Sequence, residues 1–220
     1  MGSKNGSGMK IALLILAANL VLGVMTYPML PDRIIMHWGA GGVPDGYGPK
    51  LTGVLLMQVI QFIMFGIYAV IPRIDPQKKI SADTGYYSNL MNLMMGYFLF
   101  FNALFITQNL GYDYNMTSVM MPAVGALLFL MGGILSNAEP NWFVGVRTPW
   151  TLSNDEVWRS THEKAGLLFK IWGVISTAGV IFPMASILAL VASILLGVVY
   201  MMFFQLPRVQ ETGRLRVNPV

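Results

Sequence analysis

The sequence predicts an all-α integral membrane protein: a six-transmembrane-helix bundle with both termini in the cytoplasm. Two observations carry the class. The 220 residues are 55% hydrophobic and only 11% charged, whereas soluble domains carry about a quarter charged residues. Six stretches also approach the roughly 20 apolar residues that cross a hydrocarbon core. They are Ile11–Leu30, Leu51–Ile71, Tyr87–Leu110, Val119–Ser136, Ala165–Phe182 and Met184–Leu206. A third observation sets the orientation. One set of connections holds Lys4, Lys10, Arg73, Lys78, Lys79, Arg147, Arg159, Lys164, Arg208, Arg214 and Arg216; the other holds only Arg33 and Lys50. Cytoplasmic loops are the Lys- and Arg-rich ones.

Residues 1–8, MGSKNGSG, read as an expression-tag scar, with Met9 as the native start. Residues 9–210 form one membrane domain and residues 211–220 a C-terminal tail. The first span is retained, because no small-residue cleavage site follows it. The fifth and sixth spans part at Pro183. Run together they would be too long for one crossing, so a tight hairpin joins them.

The spans hold almost no ionisable group. Lys170 is the exception, near enough to a helix end to snorkel. Their internal polar groups are Gln58 and Gln61 in the second span, and Asn89, Asn92 and Asn102 in the third. Two readings stay open. One is hydrogen bonding between helices. The other is a polar path that admits a substrate, lined by Asn89, Asn92 and Gln61.

Two connections are too elaborate for plain linkers. The first, residues 30–50, reads LPDRIIMHWGAGGVPDGYGPK. Its Arg33–Trp38 segment mixes β-branched and aromatic residues and suits an extended piece. Val43-Pro44-Asp45-Gly46 has turn composition. An ordered cap on the outer face is expected. The second, residues 137–164, overlaps the stretch NWFVGVRTPWTLSNDEVWRSTHEKAG, residues 141–166. Pro149 holds Thr148 out of the helical region, so residues 141–152 are expected to be extended. Ser153 and Glu156 form an S-x-x-E capping box, and a helix should run from Asp155. Trp142, Trp150 and Trp158 fit an interfacial aromatic belt.

Composition also bounds the chemistry. With no cysteine, disulfides, thiolate zinc sites and cysteine nucleophiles are excluded. The two histidines, His37 and His162, fall on opposite faces of this map and cannot share a metal. His162-Glu163 lacks the second His of H-E-x-x-H, and Ser153 has no nucleophile elbow. No catalytic residue, metal or cofactor is expected. The net charge of +4 reports topology and lipid headgroups. A direct nucleic-acid partner would want a concentrated basic face.

The order of residues in the two connections is distinctive. The 141–166 stretch resembles the cytoplasmic motif of the SdpI-type bacterial toxin-immunity family, and the 30–50 stretch resembles that family's N-terminal motif. The positions that match are Asp32, His37, Gly42, Asp45, Gly46, Gly48 and Lys50 in the first. In the second they are Asn141, Gly145, Arg147, Thr148, Pro149, Trp150, Thr151, Ser153, Trp158, Thr161 and His162. Ile35 departs from the pattern, where Pro is common. The resemblance implies a membrane protein that protects its producer from a secreted peptide toxin. It also implies a signalling role, drawing a transcriptional repressor to the membrane.

On that expectation Asp32, His37, Trp38, Asp45, Tyr47 and Lys50 meet the toxin, with Ile34 as a further apolar anchor. Asn141, Arg147, Thr148, Trp150, Ser153, Trp158 and His162 face the cytoplasmic partner. A carrier of a small or lipid-like substrate is the alternative, weakened by the absence of a symmetric repeat or an intramembrane carboxylate. An intramembrane enzyme is the second alternative. The lipid bilayer is the one partner that composition itself requires; the sequence sets no oligomeric state.

Overall fold

The computed structural model describes residues 7–76, 78, 80–82 and 85–215, with side chains described as far as residue 204. The tag reading of residues 1–6, the basic residues Lys4, Lys79 and Arg216, and the end of the tail lie outside the described residues.

Among the described residues, seven helices and one hairpin make the fold. Helix α1 spans Ser7–Thr26 and runs into a short 3-10 turn, Tyr27–Met29. Strands β1 (Arg33–Trp38) and β2 (Pro44–Pro49) follow, then α2 (Lys50–Ile74), α3 (Gly85–Asn109) and α4 (Met116–Leu135). The short α5 (Pro149–Ser153) precedes α6 (Asp155–Thr177), a 3-10 turn and α7 (Pro183–Leu215). Five of these, α1, α2, α3, α4 and α7, are long and apolar enough to cross a membrane. The predicted fifth span, Ala165–Phe182, takes in the second half of α6 and the 3-10 turn after it, and α6 is not among the five; its first half carries Asp155, Glu156, Arg159, Glu163 and Lys164. Pro183 opens α7, where its missing N–H costs nothing. That helix runs on to Leu215, past the boundary expected at residue 210.

Helices α1, α2 and α3 pack on one another, and α4, α6 and α7 form a second group joined to the first along α3 and α4. The first group has an apolar cluster at each end. Tyr68, Tyr87, Met91 and Met95 with Ala12 form one, beneath Phe143 and Val144. Ile34, Leu30, Val54, Met57, Phe105 and Ile106 form the other, beneath the hairpin. Between them three buried amides meet. Asn102 Nδ2 donates to Asn19 Oδ1 at 2.7 Å, and Asn19 Nδ2 donates to Gln58 Oε1 at 2.9 Å. For Gln58 and Asn102 the internal polar groups are helix-to-helix hydrogen bonds. Such a bond contributes about 0.6 kcal/mol in a bilayer, so the triad sets register more than stability.

The second group is held by backbone proximity. A Cβ on Gly125 would stand 2.6 Å from Gly173 O, and one on Gly132 2.5 Å from Gly166 O. The reverse contacts are as close, with Gly166 meeting Gly132 O and Gly173 meeting Gly125 O, both at 2.6 Å. Each helix thus has glycines seven residues apart, two turns along one face. Their pairing in opposite order makes α4 and α6 antiparallel. Lipid offers no hydrophobic force between helices, so association rests on dispersion, which needs this closeness.

Three local expectations change. The chain is not purely helical, because the first connection is a two-stranded antiparallel sheet. Its turn is Gly39–Val43, closed by Gly42 N–H to Gly39 O at 2.8 Å, with Gly42 at φ +78°. Val43–Gly46 is not the turn: Pro44 pairs with Trp38, and Gly46 with His37. Gly46 is there because a Cβ would lie 2.8 Å from His37 Cβ. Lastly, residues 141–152 are not extended throughout, since α5 occupies Pro149–Ser153.

Leucine at Gly132 should destabilise the purified protein by about 2 kcal/mol or more, an overpacking cost. Gly133→Leu should leave the thermal midpoint in detergent nearly unchanged, because nothing lies within 4 Å of its Cβ position. Equal effects at the two neighbours would remove the backbone contact from the account.

Candidate functional sites at the two ends of the bundle

The hairpin end is built on α3. Asn109 behaves like a third strand: its Oδ1 accepts from Ile35 N–H at 2.6 Å and its Nδ2 donates to Ile35 O at 3.2 Å. Trp38 Nε1 donates to Gln108 Oε1 at 2.6 Å, and the indole meets Phe101 and Phe105 edge-on. Ile34 is 1% exposed and lies in the core, so it is not available as an anchor. The tip is tied to α4: Asn115 Nδ2 donates to Gly41 O, and Met116 N–H to Gly42 O.

Four of the six residues expected to meet a ligand brace the hairpin against itself. His37 Nδ1 and Asp45 Oδ1 are 2.5 Å apart across the strands. Lys50 Nζ lies 3.1 Å from Asp32 Oδ1, donates to Leu30 O and sits over the Tyr27 ring. Exposed pairs of this kind stabilise little; their effect is to fix where the strands begin and end. Tyr47 is exposed.

The other end holds the 137–164 connection. Asn141, fully buried, organises its first half. Its Oδ1 accepts from Phe143 N–H and Val144 N–H, while its Nδ2 donates to Glu139 O and Val144 O. The chain then crosses His162. Gly145 has φ +120°, and a Cβ there would lie 2.1 Å from His162 Nε2. Only glycine suits both demands. The next N–H, of Val146, donates to His162 Nε2 at 3.1 Å. His162 Nδ1 faces Trp158 O at 2.9 Å. An acceptor at one nitrogen and a donor at the other define a neutral imidazole protonated on Nδ1. Burial accordingly pushes the His162 pKa down, and the bond to the Trp158 carbonyl opposes that shift.

Trp158 does not join an interfacial belt. It is 1% exposed, stacks on His162 at 4.0 Å between ring centroids, and donates from Nε1 to Ala138 O. Trp142 is exposed and Trp150 half-buried. Thr148 caps α5 in a reciprocal box with Thr151, whose hydroxyl also donates to Val146 O. Thr148 is extended, as its position before Pro149 requires. The cap of α6 is Asn154 rather than Ser153: Asn154 Oδ1 accepts from Glu156 N–H and Val157 N–H. Ser153 ends α5, and its hydroxyl donates to Trp150 O. Arg147 is exposed and donates to Trp142 O within its own loop. With Asp155, Glu156, Arg159, Glu163 and Lys164, it makes the polar outward surface.

The intramembrane residues do not gather. Gln61 is buried and donates to Met95 O. Asn92 borders a groove between α3 and α4, and Asn89 is exposed. Among the described residues, Gln61 Oε1 and Asn92 Oδ1 have no hydrogen-bond partner, and no group of three or more His, Cys, Asp or Glu could hold a metal. His37 and His162 lie at opposite ends of the bundle. Sequence reasoning missed Asn19, Gln108, Asn109 and Asn115. Each is an amide within or at the end of an apolar span, which was the available signal.

Gly145→Ala should cost about 2 kcal/mol or more, combining strain at positive φ with the clash on His162. Gly111→Ala, at φ +99° with open space, should cost about half as much in the same melt. The pH dependence has a fixed sign. A histidine whose folded pKa lies below 6.5 contributes stability that is complete above that value. It is lost as pH falls through the folded pKa, because the unfolded chain takes the proton first. Melts from pH 8 to pH 5 should show that decline, and His162→Gln should flatten it.

Residues 137–205 match the SdpI/YfhL protein family, and residues 14–62 match a family described as Domain of unknown function (DUF1648). Immunity protein SdpI of Bacillus subtilis (strain 168) is 27% identical over 165 residues, covering 75% of this chain and 77% of the relative. No solved structure matches significantly. The SdpI/YfhL match takes in the buried Asn141–Gly145–His162–Trp158 unit, and the SdpI relative is similar over three quarters of the chain. With five helices of membrane-crossing length and apolarity, the chain is a multi-pass cell-membrane protein whose residues 137–205 are SdpI-like.

Proposed function

We propose that this protein confers resistance to a secreted antimicrobial peptide toxin, sensing it at the hairpin end and passing the signal to the 137–164 end. The observation that carries the reading is the construction of α4. Its first residues hold the hairpin tip, through Asn115 and Met116. Beyond its last turn, Ala138 O holds Trp158, which stacks on His162. One helix therefore touches both distinctive motifs. A ligand that shifts the hairpin against α4 has a physical route to the far end, through packed elements.

The proposed topology has six crossings, with α6 passing the bilayer beside α4 and both termini in the cytoplasm. Its support is the Lys and Arg bias of the connections and the antiparallel contact of α4 with α6. Under it, the hairpin faces out and Arg147, Arg159 and Lys164 face in. The inward surface, mixed in charge and bordered by Trp142, is of a kind that a protein partner such as a transcriptional repressor can use. Asp32, His37, Asp45 and Lys50 then act by holding the hairpin in shape, Trp38 by packing it on α3, and Tyr47 by contact. A carrier is less well supported: Gln61 is engaged with Met95 O and Asn89 is exposed away from it.

Expression in a cell sensitive to a membrane-active secreted peptide should raise survival by about tenfold or more at a lethal dose. Equal killing with and without the protein, across the secreted peptide toxins tried, would contradict the immunity reading.

A further inference from the structure

Beside the hairpin, and lined by none of the residues of its His37–Asp45 and Asp32–Lys50 braces, lies an open cleft of about 400 Å³. It runs between the hairpin tip and the α3–α4 connection. Its floor is Gln108, whose amide is committed at both ends, accepting from Trp38 Nε1 and donating to Tyr114 O. One rim carries Val43, the other Tyr112 and Asp113. The rims are tied to each other through Asn115 Nδ2 to Gly41 O at 2.6 Å and Met116 N–H to Gly42 O at 3.3 Å. Tyr114 anchors the connection to α3 by donating to Leu104 O. The cleft is thus held open by bonds within the protein, so little ordering remains to be done on binding.

Its surface has a definite character. Val43 and Tyr112 are each 66% exposed, and unlike most exposed apolar side chains here they lie in connections, not on the lipid-facing sides of spans. Asp113 is the one formally charged residue lining the cleft. It has no hydrogen bond or ion pair among the described residues, whereas Asp32 and Asp45 are both paired. An anion finds little to bind, although the N-terminus of α4 is near. Met116 N–H is given to Gly42 O and Ser118 N–H to Asn115 Oδ1.

We infer that this cleft is a docking site for a cationic, apolar peptide segment. A Lys, Arg or terminal ammonium meets Asp113 while an apolar side chain lies between Val43 and Tyr112 over Gln108. The inference rests on the immunity reading and deepens it, by giving the toxin's chemistry and its place. It also moves the contact from the braced strands to the seam between the hairpin and the α3–α4 connection.

The test uses the full chain in phosphatidylcholine nanodiscs and a fluorescent, end-capped peptide of alternating Lys and Leu. Saturable anisotropy above that of empty nanodiscs is expected. Asp113→Asn should weaken binding about three- to fivefold, the upper range for one exposed ion pair. Acetylating the peptide's lysines should do the same, and the two changes together should cost no more than either alone. Tyr112→Ala should weaken binding; Met29→Ala, as exposed but outside the cleft, should not. Since Asp113 is exposed and unpartnered, Asp113→Asn should melt as the parent does. Binding no greater than to empty nanodiscs, indifference to Asp113 and Tyr112, or displacement by millimolar phosphocholine, which would mark a lipid ammonium site, would each overturn the inference. In the survival assay, full protection by Asp113→Lys would remove the cleft and leave immunity standing. Absence of protection by the unaltered chain would remove immunity, and the peptide titration would still decide the cleft.

Discussion

Everything in this structure hangs on α4 and α6 touching backbone to backbone. In the proposed six-crossing arrangement, the apolar half of α6 gains nothing against α4 by hiding from lipid, because lipid is as apolar as it is. The two helices associate where they can come closer to each other than to acyl chains. Paired glycines, Gly125 with Gly173 and Gly132 with Gly166, create that proximity. The pair then serves as a strut. Its α4 member reaches the hairpin tip at one end and the Trp158–His162 stack at the other. The α1–α3 group leans against it, held in register by the Asn19–Gln58–Asn102 amides.

The distinctive residues of both connections divide into an inward set and an outward set. Asn141, Gly145, Thr148, Thr151, Trp158 and His162 bond to or pack on one another or on nearby backbone. Their identities are dictated by a loop that must cross a buried imidazole with its polar groups satisfied. Arg147 and the charged side of α6 are not dictated in this way. At the hairpin end the same division separates Ile34, Trp38 and the bracing ion pairs from Val43, Tyr47 and Tyr112. Under the proposed function, recognition belongs to the outward sets, and the inward sets hold them in place.

Five of the six expected spans were legible because a bilayer imposes a length and an apolar composition that survive any packing arrangement. The onset of α6 was legible from Asp155 and Glu156, which suit a helix N-terminus. Misreadings share one cause, namely that the deciding partner lies far along the chain. Pro44-Asp45-Gly46 has the composition of a turn, yet Gly46 is there to clear His37 on the facing strand. Ser153 and Asn154 are both competent caps, and the backbone after α5 gives the role to Asn154. Trp158 looked like a belt residue until Ala138 O and the His162 ring supplied its neighbours. Gln108 and Asn109 were hidden for the same reason, since they bond to Trp38 and Ile35, some seventy residues earlier.

The account stands on the hairpin and the 137–164 connection lying on opposite sides of the membrane. The chain has no cysteine of its own, so single cysteines at Asp45 and Asn154 can be probed in intact cells with a membrane-impermeant thiol reagent. Asp45→Cys should label in intact cells, and Asn154→Cys only after the membrane is opened. Labelling of both from the same side would contradict the two-faced arrangement, and with it the passage of a signal along α4.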